Sequence, residues 1–273
     1  MKIYISADIE GIWGIVSRKQ IGGESSDYQR ARKLMTEEVN LISKYLWENG
    51  AKEIVVNDSH GPMDNILIED LDPKVELISG YPKVHSMMEG LDESFDGVLL
   101  IGYHPKAGTE KGIFDHTYSG RVVGSIKLDH QEMGEIGLNA RLAAHYGVPV
   151  ILVSGDEKAC ESVKEELGEI ETVAVKTALS RYCAKNLPYE TIKKNYKISV
   201  KKALESIDFT EPISIAAKPL IEIKFQQSVM AELVENIPGI VKTAEGTLTY
   251  QAVDMPDMYR VMRSAITLAS TAL

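Results

Sequence analysis

Several carboxylates and imidazoles of this chain directly follow short apolar segments. The segments end in Ser6-Ala7-Asp8-Ile9-Glu10-Gly11, in Asn57-Asp58-Ser59-His60 and in Gly102-Tyr103-His104. Asp8 and Glu10 are two positions apart, so an extended backbone points both side chains to the same face. Two carboxylates on one face repel each other unless a positive charge lies between them. Carboxylate and imidazole ligands together favour zinc, with cobalt, manganese or iron as rivals.

A pair of such ions would favour hydrolysis. A bridging carboxylate lets two ions lie about 3.5–4 Å apart, where they polarise a carbonyl group and generate hydroxide near neutral pH. Each signal also has an ordinary explanation: a carboxylate pair can be a solvated turn, Asp58 and Ser59 can cap a following segment, and a single histidine is often structural. The hypothesis of a metal site therefore depends on the combination: residue types that bind metals follow each of three separate apolar segments.

The pattern of apolar residues predicts elements that would bring these residues together. Predicted strands cover 2–6, 53–57, 75–79, 97–103 and 148–154, and predicted helices cover 26–49, 134–146 and 156–167. Strands that alternate with helices predict an α/β fold with a largely parallel sheet flanked by helices. The carboxyl ends of parallel strands share one edge, and ligands bind at that edge in open α/β folds.

The order of elements changes in the last third of the chain. A helix is predicted at 189–206, strands at 220–227 and 247–253, and a final helix at 258–273. We therefore predict a catalytic α/β domain over 1–185 and a smaller α+β region over 186–273 that packs on it and contributes to oligomerisation.

Composition excludes several classes of function. The net charge of −10 disfavours a nucleic-acid partner, which normally meets a basic surface. No apolar run reaches the roughly 20 residues that span a bilayer, and no signal peptide is evident at the start, so we expect a cytoplasmic protein without a membrane partner. The two cysteines, Cys160 and Cys183, do not form a CxxC pair and agree with a reducing compartment.

Four motifs resemble those of the DppA-type D-aminopeptidases, a family of zinc peptidases. The first three are the segments around Asp8, His60 and His104, and the fourth is Gly134-Glu135-Ile136-Gly137-Leu138-Asn139-Ala140. They occur in the family's order, and the resemblance is densest over residues 1–155. Trp13 stands where the family has smaller residues, which predicts a reshaped substrate pocket.

The resemblance implies a complete set of site residues. The metal ligands are then Asp8, Glu10, His60, His104 and Glu135, with Asp8 as the bridge between two zinc ions per chain. From its position alone, Glu135 is also explained as an ordinary acid in the first turn of a helix. The family's catalytic histidine corresponds to His116 in Asp115-His116-Thr117. Cobalt or manganese are possible substitutes for zinc.

Three functional hypotheses follow. The first is an aminopeptidase that removes an N-terminal residue, of D configuration by family resemblance and D-alanine above all, from short peptides. The second keeps the metals but is an amidase or phosphoesterase, and the third is a non-catalytic, metal-stabilised assembly protein. The family also implies a homo-oligomer of pentameric rings stacked into a decamer. The apolar segments 247–253 and 255–262 agree with an interface, or else they close the protomer's own core.

Overall fold

The structure is a computed structural model that describes residues 1–273. The strands are β1 (Lys2–Ala7), β2 (Glu53–Asp58), β3 (Glu76–Ile78), β4 (Gly97–Tyr103), β5 (Val123–Leu128), β6 (Gln131–Met133), β7 (Val150–Asp156), β8 (Glu171–Ser180), β9 (Cys183–Asn186), β10 (Leu220–Phe225), β11 (Val241–Ala244) and β12 (Thr247–Gln251). The helices are α1 (Ser26–Glu48), α2 (Glu135–His145), α3 (Glu157–Leu167), α4 (Tyr189–Glu205), α5 (Ser228–Val234) and α6 (Met255–Ser270).

The larger sheet confirms the predicted α/β class. Its strand order is β3-β2-β1-β4-β7-β8-β9, and only β9 runs antiparallel to its neighbour. Alternate residues face opposite sides, so Ile3 and Ile5 pack in the core that contains α1 and α4, whereas Tyr4 packs in the core that contains α2 and α6. Burial of both faces explains the nearly continuous apolar sequences of the central strands.

The register of this sheet sets the position of the chemistry. Ala7 at the end of β1 lies opposite Asp58 of β2 on one side and Ile101 of β4 on the other. The segments that follow these three strands therefore start from the same edge of the sheet.

A second sheet is antiparallel throughout and combines two parts of the chain. Its order is β11-β12-β10-β5-β6, so β5 and β6 from the middle of the sequence join the C-terminal strands. Helix α4, which follows residue 185, packs instead on α1 and β8 of the larger sheet. The second sheet and the packing of α4 thus combine segments from both sides of the predicted boundary, and the division of the chain at residue 185 stays a prediction.

The last helix begins earlier than the sequence pattern predicted. Asp254 caps it by accepting a hydrogen bond from the Asp257 backbone N–H at 2.8 Å, and a proline occupies its first turn. Met255, Met258 and Met262 are buried within the chain's own core, so this apolar segment closes the protomer and does not itself mark an interface. None of the helices combines the length and the apolar character needed to cross a membrane.

Candidate metal centre

Six predicted site residues converge at the carboxyl edge of the larger sheet. Asp8 and Glu10 follow β1, His60 follows β2, His104 follows β4, His116 lies in the loop between β4 and β5, and Glu135 begins α2. The five predicted ligands are buried. Of the histidines outside this set, His130 lies in the turn between β5 and β6 and His145 at the end of α2, and both are exposed.

Two glycines allow the backbone to cross closely at this edge. The Gly11 N–H donates to the Gly102 carbonyl oxygen at 2.7 Å, and the Asp8 N–H donates to the Ile101 carbonyl oxygen at 2.8 Å. A Cβ atom on Gly11 would overlap the carbonyl oxygen of Tyr103. Gly102 has a φ of +72°, a conformation that side chains disfavour. These features hold the loop with Asp8 and Glu10 against the end of β4.

The non-ligand polar residues of the four motifs form one buried hydrogen-bond network. The Ser6 hydroxyl lies 2.7 Å from the Ser59 hydroxyl and 2.6 Å from the Tyr103 hydroxyl. Asn139 donates from Nδ2 to the Tyr103 hydroxyl at 2.6 Å, and its Oδ1 accepts from the Tyr259 hydroxyl of α6 at 2.5 Å. The network joins the four segments that carry the metal-type side chains, so it explains why these motifs contain serine, tyrosine and asparagine.

One half of the cluster joins Asp8, Glu10 and His60. The His60 Nε2 lies 2.8 Å from the Ile21 carbonyl oxygen. A carbonyl can only accept, so Nε2 carries a proton. The other ring nitrogen, Nδ1, lies 2.8 Å from Glu10 Oε2 and 3.2 Å from Asp8 Oδ1. A neutral ring would aim its lone pair at two carboxylate oxygens, so this arrangement requires a proton or a cation between them.

The other half joins Asp8, His104 and Glu135. The His104 Nδ1–H donates to the Pro105 carbonyl oxygen at 3.0 Å. Its Nε2 then faces Glu135 Oε2 at 3.3 Å and Asp8 Oδ2 at 3.6 Å. Asp8 therefore offers one oxygen to each half, as a carboxylate that bridges two ions would.

Unpartnered buried atoms mark the same positions. Asp8 Oδ2, Glu10 Oε2 and His104 Nε2 are buried and make no hydrogen bond. Buried polar atoms are nearly always paired, so unpartnered atoms in both halves of the cluster fit one ion held in each half. The donor set of carboxylate oxygens and imidazole nitrogens fits zinc, and each half provides three ligands within 4.8 Å of one another.

The pKa values of the cluster residues also favour positive charge between the carboxylates. Burial, together with the Glu10 carboxylate, raises the pKa of Asp8 from 3.8 to about 8. Burial lowers the pKa of His104, but the Glu135 and Asp8 carboxylates more than offset it and raise that pKa to about 10. The pKa of His60 also lies well above its ordinary value, because Glu10 and Asp8 outweigh its burial. All three shifts favour positive charge at the positions between the carboxylates.

His116 differs from the other two imidazoles of the cluster. Its ring stacks on His104 with 4.1 Å between centroids, and its Nδ1–H donates to the Phe114 carbonyl oxygen at 2.7 Å. The free Nε2 lies 3.9 Å from Glu135 Oε1 and 4.0 Å from Glu10 Oε1. Burial and the nearby His104 lower the pKa of His116. With 18% of its side chain exposed, against 9% for His60 and 1% for His104, it is the most accessible of the three.

Two cavities open on the cluster, and His116 lines both. A cavity of about 140 Å³ is lined by Asp8, His60 and Glu135 together with His116. A second of about 610 Å³ shares only Glu10 and His116 with the cluster. Another cavity of similar size, about 620 Å³, lies between Tyr81 and α6 and contains no residue of the cluster.

Sequence reasoning missed Lys176. This lysine of β8 is fully buried, and its Nζ donates to the carbonyl oxygens of Glu10, Ile12 and Ile15 at 2.6–2.7 Å. It therefore holds the loop that carries Glu10. The available signal was a single lysine inside the apolar strand sequence Val173-Ala174-Val175-Lys176.

Trp13 does not shape either cavity at the cluster, so the prediction of a pocket reshaped by Trp13 was wrong. Its indole Nε1–H donates to the Leu187 carbonyl oxygen at 2.9 Å, and its ring packs on Tyr189, 5.1 Å between centroids. The side chain therefore anchors the loop to the start of α4 and is not part of the lining of either cavity.

Comparisons with known proteins identify the family of this chain. The family model Peptidase_M55, described as D-aminopeptidase, matches residues 1–264. A D-aminopeptidase of Bacillus subtilis (strain 168) is 36% identical over 263 residues, which is 96% of this chain and 95% of the relative. The solved structure of the Zn-dependent D-aminopeptidase DppA from Bacillus subtilis, a self-compartmentalizing protease, superposes with a TM-score of 0.95 at 36% identity and covers 99% of this chain and 98% of that one. The chain therefore belongs to the D-aminopeptidase family.

Proposed function

We propose that this chain is a dinuclear zinc D-aminopeptidase that removes an N-terminal D-amino acid from short peptides. The observation that carries the proposal is the pair of three-ligand groups that share Asp8, each with unpartnered buried atoms that face the space between the ligands. The Zn-dependent relative of the same fold supports zinc as the metal. Cobalt or manganese should substitute, since both accept the same nitrogen and oxygen ligands.

The ligand assignment follows the two halves of the cluster. Asp8 Oδ1, Glu10 and His60 would hold one ion, and Asp8 Oδ2, His104 and Glu135 would hold the other. When bound, the ions would polarise the scissile carbonyl and lower the pKa of water. The Ile21 and Pro105 carbonyls support this assignment. By accepting a hydrogen bond from one ring nitrogen, the Ile21 carbonyl leaves Nδ1 of His60 free to bind an ion, and the Pro105 carbonyl leaves Nε2 of His104 free.

His116 is proposed as the general base. The Phe114 carbonyl holds its Nδ1 proton, so Nε2 has a lone pair that faces the cavities. This nitrogen would take a proton from the attacking water and pass it to the departing amine. A lowered pKa keeps the ring neutral near pH 7, as a base requires.

The two cavities suggest how a peptide is placed. A volume of about 140 Å³ next to Asp8, His60 and Glu135 suits a small N-terminal residue such as D-alanine. The larger cavity of about 610 Å³ would hold the rest of the peptide, with the scissile bond beside His116. The size and position of the small cavity thus support a preference for small N-terminal side chains.

Elemental analysis and a substrate panel test the proposal. Purified protein should contain about two zinc-like ions per chain, lose activity with a chelator and regain it with zinc, cobalt or manganese. D-Alanine p-nitroanilide should be hydrolysed faster than its L isomer, and bis(p-nitrophenyl) phosphate should not be cleaved. Active, untreated protein without a bound transition metal would refute the metal assignment, whereas phosphodiester cleavage alone would favour a phosphoesterase.

We also propose that the chain assembles into a homo-oligomer of pentameric rings stacked as a decamer. The self-compartmentalizing relative supports assembly. Phe209 and Val253, which are 84% and 64% exposed, lie in the 186–273 region that we propose contributes to contacts between copies. Light scattering should give a mass far above that of a dimer, and a stable, fully active monomer would refute assembly. Both cysteines are free, which agrees with our proposed cytoplasmic location.

A further inference from the structure

The larger cavity at the candidate metal centre is lined by residues of the cluster and by three arginines. Glu10 and His116 form the part shared with the cluster, and the arginines are Arg18, Arg121 and Arg181. Three guanidinium groups around one cavity contrast with the net charge of −10 of the whole chain. The volume of about 610 Å³ lies in the range of small-molecule binding sites.

Two of the three arginines have no carboxylate partner. Arg181 is neutralised by Asp115, with 3.0 Å between Nε and Oδ1. Arg18 donates from Nε to the hydroxyl oxygen of Tyr182 at 3.0 Å and lies over that ring, but it makes no ion pair. Arg121 makes neither a hydrogen bond nor an ion pair. The Arg18 Nη2 also donates to the Tyr182 hydroxyl oxygen, so the positions free to bind an anion are the terminal edge of Arg18 and the whole guanidinium fork of Arg121. A planar carboxylate is the group that matches such a fork.

The charges around the cavity match the two ends of a short peptide. The cluster would bind the reacting end of the substrate, and the arginines line the same cavity, which would receive the other end. Phe114 and Tyr182 make an edge-to-face contact, 5.5 Å between centroids, and add an apolar surface beside the arginines. A peptide whose free carboxylate lies one or two residues after the scissile bond would meet both features.

We propose that Arg18 and Arg121 bind the C-terminal carboxylate of the substrate, so that the preferred substrates are short peptides with a free carboxyl terminus. This inference rests on the proposed D-aminopeptidase function and defines its substrate class. Peptide amides and anilides are then poorer substrates, since they leave the two guanidinium groups unpaired.

The test compares D-alanylglycine with D-alanylglycinamide, which differ only in the charge of the carboxyl end. The readout is the ratio of the two kcat/KM values, with released D-alanine quantified for each. The wild-type ratio should be about ten or more in favour of the free acid, the size expected for a hydrogen bond to a charged group. Arg121→Ala and Arg18→Ala should each reduce the ratio at least about fivefold, and Arg121→Lys should retain part of it.

A matched control is Arg30→Ala. Arg30 is an exposed arginine of α1 outside the cavity, so its removal changes the net charge equally and should leave the ratio at the wild-type value. A wild-type ratio near one would overturn the inference while leaving the aminopeptidase function intact. The inference would also be overturned if Arg121→Ala and Arg18→Ala lowered kcat/KM equally for D-alanylglycine and D-alanylglycinamide. If the wild type releases D-alanine from neither substrate, the proposed function fails and this inference fails with it.

Discussion

A methyl group at Gly11 should disrupt the metal centre without touching any ligand. The Cβ atom of Gly11→Ala would overlap the main-chain carbonyl of Tyr103 and the backbone of Gly102, neither of which can rotate away as a side chain would. The loop must therefore move, and it carries Glu10 in the adjacent position. The displacement would also break the 2.7 Å hydrogen bond from the Gly11 N–H to the Gly102 carbonyl.

The expected magnitude combines two effects. Overpacking of a tight site costs about 1–3 kcal/mol, and a buried donor and acceptor left unpaired cost about 1–3 kcal/mol. We expect the free energy of unfolding of the metal-free protein to fall by about 2–6 kcal/mol. A shift of Glu10 also removes one ligand from the half that contains His60, so bound metal should fall from about two ions per chain to about one.

Urea unfolding of the metal-free protein and elemental analysis of the dialysed protein measure the two effects. Gly22→Ala is the matched control: it lies in the next loop, has no atom within 4 Å of a new Cβ and does not have a positive φ. This control should be neutral or more stable by about 0.4–1 kcal/mol, because alanine restricts the unfolded chain. If Gly11→Ala lost less than about 1 kcal/mol and kept both ions, the backbone crossing would not be what positions Glu10.

Three further predictions concern the cluster and its surroundings. His116→Ala should keep about two ions per chain but lose at least about a hundredfold in kcat, whereas His104→Ala should lose bound metal as well. Elemental analysis measures the bound metal, with His145→Ala as the control. Equal metal loss in the His116→Ala and His104→Ala variants would contradict the role of His116 as a base. Chelation should lower the melting temperature measured by calorimetry, since each ion at a hundred times its Kd adds about 2.7 kcal/mol of stability, and an unchanged melting temperature would argue against structural coupling. Glu38 is a buried residue of α1 whose Oε2 accepts a hydrogen bond from the Trp13 N–H at 3.0 Å. Burial raises its pKa above the ordinary value of 4.5, so its contribution to the free energy of unfolding is full below pH 4.5 and is lost as the pH rises through the folded pKa. The difference in the free energy of unfolding between wild type and Glu38→Gln should follow this window, and a difference independent of pH would refute the prediction.

Local patterns were sufficient for the strands and the helix that carry the candidate site, whereas β5, β6, β8, β9, β11 and α5 were not predicted. The apolar strand before Asp8, the one before His60 and the one before His104 all form, and the parallel arrangement brings their ends to one edge. Glu135 needed the family resemblance, because a glutamate in the first turn of a helix has an ordinary explanation. The start of α6 was misplaced by three residues, since its cap depends on Asp254 outside the apolar pattern.

Contacts between distant segments decided the rest. No periodicity signals that Lys176 reaches the carbonyls of a loop more than 160 residues earlier, or that β5 and β6 leave the larger sheet to pair with β10. The arginines of the larger cavity could not be predicted from the local sequence either, because Arg18 and Arg121 lie in separate segments that come together around one cavity only in the folded chain.

The chemical types of the site could be predicted from the chain alone, since ligand residues at strand ends and the alternation of strands and helices are local properties. The folded arrangement was needed to show that Asp8 offers one oxygen to each half of the cluster, that His60 and His104 present a free nitrogen, and that three arginines line a cavity next to the cluster. These are matters of distance and direction between side chains, and the packing of two sheets and their loops sets both.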